Sequence, residues 1–151
     1  MKEKVLAMIE ELKGGDSGVE AIALYQNGEM IIEHRFIPKR EREIHSHTKS
    51  FVATAAGIAI DEGKLSLDTK IIDLFPEYER YITDERVKQL ELQHFLKMSS
   101  GFGGGFIMQD DRRKGVAFPD YMKYLLSKPL VNEPGTKFCY SNADSHMVAC
   151  M

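Results

Sequence analysis

Cysteine is scarce in this chain, long apolar runs are missing and no stretch carries charge of one sign. Cys139 and Cys150 are too few for a disulfide framework, and a reduced, cytoplasmic protein is the expectation. The N-terminus lacks the layout of a signal peptide. No apolar run approaches the roughly 20 residues of a membrane-spanning helix, so no membrane span is expected. The net charge of −3 and the scattered Lys and Arg residues speak against nucleic acid as a partner. "DDRRKG" (Asp110–Gly115) is charge-balanced and reads as a solvated loop. Internal repeats and low-complexity linkers are also missing.

What is present suits a soluble globular protein: 43% apolar and 28% charged residues in 151. A chain of this length can bury roughly 70% of its unfolded surface. "MKEKVLAMIEELKGG" places Val5, Leu6, Ile9 and Leu12 on one face of a charged helix, with Gly14 as its stop. Next, "GVEAIALYQNGEMIIEHRF" reads as a hairpin closed by a type I′ turn at Asn27-Gly28. Its arms do not alternate: Ala21 to Leu24 and Met30 to Ile32 are continuous apolar runs. Such strands expect cover on both faces, as in a layered sheet.

The rest is helical and loop-rich. Phe51 to Ile60 are almost entirely apolar, the pattern of a helix buried on all sides, and Gly63 closes it. "KLSLDTKIIDLFPEY" predicts a turn and a short helix ending near Pro76. A helix around Gln93–Met98 stops at "SSG", followed by a glycine loop from Gly101 to Gly105. Pro119 suits the first turn of a helix with Met122, Leu125 and Leu126 inward. Pro134-Gly135 marks a turn before an extended piece, and a last helix starts at Asn142.

Ser46, His47, Thr48 and Lys49 stand at the mouth of the apolar helix. Ser46 and Lys49 are three residues apart, one helical turn on one face. A serine hydroxyl attacks poorly until a base takes its proton, and a lysine desolvated by apolar neighbours can act as that base. The free N–H groups of a first helical turn would favour a developing oxyanion. A plainer reading stays open, with Ser46 as a helix N-cap and Lys49 reaching solvent. Among the serines, only Ser46 has a lysine three residues on. The second element is Tyr140-Ser141-Asn142, in which a phenol can share a proton with a lysine and an amide can hold that lysine or a substrate. Tyr25-Gln26-Asn27 matches the same pattern but ends a strand before a turn.

"SHTKSFVATAAGIAIDEGKLSLDTKIIDLFPEY", "LQHFLKMSSGF" and "PLVNEPGTKFCYSNADSHMVACM" resemble consecutive blocks of the class C beta-lactamase, DD-peptidase and esterase family of serine hydrolases. The likeness runs in order from about Val19 to the last residue. It implies an α/β (α+β) beta-lactamase-like fold, with residues 1–44 supplying a helix and hairpin of the sheet domain and residues 45–151 the nucleophile helix and most of the helical domain. It also implies Ser46 as nucleophile, Lys49 as its proton partner, Tyr140 as second base and Asn142 as a lysine- and substrate-binding side chain. The Ser46 N–H would be one oxyanion donor. The implied reaction is acyl transfer from a small ester, amide or beta-lactam through a Ser46 ester, without metal or cofactor.

The family's third motif, Lys or His, then Ser or Thr, then Gly, does not occur among the eleven residues after Tyr140. The expectation is therefore the front part, under half, of a family member. One missing oxyanion donor would lower the barrier-reducing power by about 3 kcal/mol. The hairpin would then present an open edge, for which a second copy or a complementing C-terminal fragment is the expected partner. A non-catalytic module that pairs through this edge is the rival reading. His45 and His47 form an H-x-H pair, but alternate residues of a helix diverge, and no metal site is expected. His34, His94 and His146 read as surface or capping residues. Gly103 to Gly105 lack the Lys and hydroxyl of a phosphate loop, and Cys139 reads as buried filler.

Overall fold

The structure, a computed structural model, describes residues 1–104 and 120–151. Their architecture is mixed α/β, arranged as two compact units, Met1–Glu43 and Ile44–Met151. The expected loop at Asp110–Gly115, the helix start at Pro119 and Gly105 lie outside the described residues.

The first unit begins with α1 (Lys2–Lys13), which carries Glu3 in its first turn and Lys13 in its last, each suited to the helix dipole. Ile9 is the buried residue of α1, flanked by half-buried Val5 and Leu12. Leu6 is exposed, contrary to the sequence reading, because the buried stripe follows positions 5, 9 and 12. The helix stops at Gly14, which keeps a right-handed φ of −90°. Strands β1 (Ala21–Gln26) and β2 (Glu29–Arg35) pair antiparallel. Asn27 and Gly28 have φ of 54° and 81°, the two positive values that a type I′ turn requires.

Ile22, Leu24 and Ile32 share the covered face of this hairpin, and β2 lies against α1. Ala21, Ala23 and Tyr25 are exposed, so the expectation of cover on both faces does not hold. A bulge explains part of the apolar run in β2. Leu24 faces Ile32 and Tyr25 faces Met30, which leaves Ile31 as the extra residue. Ile31 and Ile32 therefore both turn from solvent although they are neighbours. Beyond β2, Arg40 and Arg42 close on the Glu20 carboxylate, Arg42 through its Nε at 3.0 Å.

The second unit opens with a 3-10 turn (His45–His47) that leads into α2 (Thr48–Asp61). Gly63 ends α2 in a left-handed conformation, φ 70°. Its N–H bonds to the Ile60 carbonyl and that of Lys64 to Ala59, both at 2.9 Å, the two bonds of a Schellman stop. Helix α3 (Ile71–Leu74) and 3-10 turns at Pro76–Tyr81 and Glu85–Gln89 follow, then α4 (Leu92–Leu96). After the glycine-rich stretch come α5 (Tyr121–Leu126) and α6 (Asn142–Cys150).

The core of this unit joins Ile71, Val87, Leu90, Leu92, Phe95, Leu125, Leu126 and Met147, all essentially without solvent contact. Each such side chain contributes about 1.5–3 kcal/mol on burial. Helix α6 meets both α2 and α4, and Ala143, Met147 and Val148 form its inward stripe. Asp84 receives the Arg86 guanidinium and the Leu130 N–H, while Arg86 also reaches Glu133 at 2.5 Å and the Leu130 carbonyl at 2.7 Å. These bonds anchor the segment that leads to the Pro134-Gly135 turn.

Helix α2 corrects the sequence reading. It is not buried on all sides: Ala56 is its buried residue, while Phe51 is 61% and Ile58 54% exposed. Apolar composition marks every face of α2 alike, but α6 meets one side of it, and Val52 and Ala56 join the core. Among the described residues no helix is long and apolar enough to cross a membrane.

Candidate active site

The turn that carries Ser46 is unusual from its first residue. His45 has φ of 44°, a left-handed value uncommon outside glycine. It bends the chain into the 3-10 turn, in which the His47 N–H reaches the Ile44 carbonyl at 2.9 Å. The expected α-helical start at Ser46 is thus a 3-10 turn, and α2 proper begins at Thr48. Ser46 remains exposed while Lys49, one turn on, is half-buried. Lys49 Nζ lies 3.4 Å from Ser46 Oγ.

Tyr140 and Asn142 reach this point along a pinned segment. Pro134 and Gly135 form a turn with the Thr136 N–H on the Glu133 carbonyl at 3.2 Å, and Gly135 has φ of 77°. Proline at the second and a left-handed glycine at the third position fit a type II turn. The Gly135 N–H then bonds to Ser99 and the Cys139 N–H to Met98, both at 2.8 Å. These two bonds fasten the segment to the end of α4. Ser141 caps α6 by accepting the Asp144 N–H at 3.1 Å, so that Asn142 becomes the first residue of that helix.

The geometry at the centre is close. Tyr140 Oη donates to Ser46 Oγ at 2.6 Å. Lys49 Nζ donates to Asn142 Oδ1 at 2.7 Å and stands 5.0 Å from the centre of the Tyr140 ring. All four residues singled out in the sequence therefore meet. Neither plain alternative describes them: the N-cap of α2 is His47, without a side-chain bond, and the Lys49 amine is engaged by Asn142. Tyr25 is the penultimate residue of β1, and Asn27 forms the hairpin turn.

The electrostatics favour proton sharing. Hydrogen bonds with Ser46 and then Lys49, together with the Lys49 charge, hold the Tyr140 phenol below its ordinary range. When the phenol ionises, the short bond reverses and the Ser46 hydroxyl becomes the donor. The trio can thus move a proton off the serine oxygen while a cation steadies the acceptor.

The sequence reading missed Ser100 and Asp144. Both are buried, and Ser100 Oγ donates to Asp144 Oδ1 at 2.7 Å. Ser141-x-x-Asp144 has the spacing of a capping box, which could have flagged Asp144 as a first-turn carboxylate, although its partner lies 44 residues away. Among the remaining signals, His94 does act at a helix start, its Nδ1 accepting the Glu91 N–H at 3.0 Å. His34 is half-buried against Phe36, and His146 is half-buried beside Cys150. His47 meets Phe51 edge-on at 5.6 Å. Cys139 is half-buried against Gly104, and burial pushes the Cys150 thiol up. Among the described residues, no three His, Cys, Asp or Glu side chains converge as a metal site.

A family model described as Beta-lactamase matches residues 14–150 of the chain. No curated protein matches it significantly.

Proposed function

The chain belongs to the beta-lactamase family, and on that footing we propose that it is a serine hydrolase working by acyl transfer through Ser46. Tyr140 as phenolate takes the proton of Ser46 Oγ, and the serine oxygen attacks the carbonyl carbon of an ester, amide or beta-lactam. The carbonyl oxygen becomes an oxyanion near the positive end of the α2 dipole, with the Ser46 N–H as donor. Collapse of the adduct breaks the bond to the leaving group, which takes the proton back from Tyr140. A water molecule then gives its proton to the same phenolate and attacks the Ser46 ester. Release of the acid restores the serine hydroxyl with that proton.

Lys49 favours the phenolate throughout, and Asn142 holds the lysine amine by its amide oxygen. The observation that carries this reading is the 2.6 Å contact between the Tyr140 and Ser46 hydroxyls. Positioned acid–base groups of this kind contribute about 10²–10⁴-fold in rate. Steady-state hydrolysis of p-nitrophenyl acetate and of a chromogenic cephalosporin tests it. Turnover of at least one that vanishes in Ser46→Ala supports the reading, and equal turnover by both proteins sinks it.

A further inference from the structure

The scheme above leaves one buried ionisable group without a task. Asp144 is 1% exposed and lies in the first turn of α6, two residues beyond Asn142. Ser100 approaches it from the turn after α4, with Oγ at 2.7 Å from Oδ1 and the backbone N–H at 3.4 Å from Oδ2. Ser141, from the N-cap, receives the Asp144 N–H at 3.1 Å. Among the described residues no charged side chain pairs with this carboxyl, and its partners are donors on both oxygens. The Ser100 hydroxyl in turn accepts the Phe102 N–H at 3.4 Å.

We propose that Asp144 is a positioning residue of the Ser46 site, its carboxylate binding Ser100 so that the first turn of α6 presents Asn142 to Lys49 and Tyr140 to Ser46. The inference rests on the hydrolase reading for its kinetic consequence, but its geometric content concerns this chain's own residues. The Gly135 N–H on Ser99 holds the start of the segment that bears Tyr140, and two further fastenings flank the site. One is the Cys139 N–H on Met98, just before Tyr140. The other is Asp144 on Ser100, just after Asn142. Without the second, the packing of Ala143, Met147 and Val148 still holds α6, but its first turn is no longer pinned to Ser100, and the 2.6 and 2.7 Å contacts loosen together.

The ionised form fits this task better than the neutral one. A protonated carboxyl, or an asparagine, has one acceptor oxygen for two Ser100 donors and sets a hydrogen-bearing atom against one of them. Burial opposes ionisation and pushes this carboxyl up to about 6. The site therefore works best in the form that the fold accommodates least well, and Asp144→Asn separates the two effects. A residue that merely supports the fold would lose stability and rate together.

The test compares wild type with Asp144→Asn, and with Ser100→Ala as a second break of the same bond. Two readouts are used: the rate of Ser46 modification by a fluorophosphonate and the titration of Tyr140 by ¹³Cζ-tyrosine NMR. The expected wild-type rate is about tenfold above Asp144→Asn at pH 8, with the ratio falling toward one at pH 5. The melting temperature of Asp144→Asn at pH 8 is expected to be no lower than that of wild type. The Tyr140 phenol should titrate higher in both variants. A rate ratio that does not change with pH, together with an unmoved phenol, overturns the proposal. If wild type is not modified but the phenol still moves in the variants, the hydrolase reading fails and the positioning role of Asp144 stands.

Discussion

Tyr140 and Ser46 are 94 residues apart in the chain, and their hydroxyl oxygens lie 2.6 Å apart in the fold. Neither residue is buried: Ser46 is exposed and Tyr140 is 48% exposed. Removing the phenol oxygen should therefore harm chemistry far more than folding. Tyr140→Phe is expected to lose about a hundredfold or more in kcat/KM, with stability within about 0.5 kcal/mol of wild type. Paired kinetics and urea melts check this. A small kinetic loss would relieve Tyr140 of its assigned task.

The Tyr140 phenol is depressed by hydrogen bonds with Ser46 and Lys49 and by the lysine charge. The working base is the phenolate, so activity falls as pH drops through the phenol value. Lowering that value extends activity toward neutral pH. Lys49→Met removes a hydrogen bond and a cation, and its acidic limb is expected at higher pH than that of wild type. A pH–rate profile of both proteins decides it, and coincident limbs would contradict the assignment.

Much of the fold was legible where one residue type meets one backbone need. Asn27-Gly28 marked the hairpin turn because few residues adopt two successive positive φ angles. Gly63 marked the end of α2 and Gly135 the turn before Tyr140 because each site needs one positive φ, which glycine takes without strain. The Ser46–Lys49 spacing was readable because three residues make about one helical turn. Other features depend on partners far away in sequence. Phe51 and Ile58 looked buried because composition records how apolar a helix is, not which side α6 covers. The bulge at Ile31 blurred the alternation from which a one-sided strand is read. Ser100 and Asp144 look like ordinary turn and cap residues until the fold brings them together.

Asp144 also sets a pH dependence of stability. Its carboxyl moves from 3.8 to about 6 on folding because burial disfavours the charge. A folded value raised above the unfolded one means that the native state holds the extra proton between them, so this contribution declines as pH rises through that window. The full difference corresponds to roughly 2–3 kcal/mol. The stability of Asp144→Asn relative to wild type is expected to grow between pH 4 and pH 7, read from urea melts. A constant difference would contradict the burial argument.

Two glycines make opposite predictions. Gly57 is an exposed interior residue of α2, and a Cβ there meets nothing within 4 Å. Gly57→Ala should stabilise by about 0.5–1 kcal/mol through helix propensity. Gly101 has φ of 92°, and a Cβ there would run into the Asn132 carbonyl oxygen. Gly101→Ala should destabilise by more than about 1 kcal/mol. Thermal melts of the two variants check both signs.

Intact-mass spectrometry after incubation with a fluorophosphonate tests the central claim most directly, because it reads the Ser46 bond itself. The account predicts one adduct per chain on wild type, none on Ser46→Ala and much slower formation on Tyr140→Phe. An unmodified wild-type protein with an intact fold, or an adduct that persists in Ser46→Ala, would contradict it.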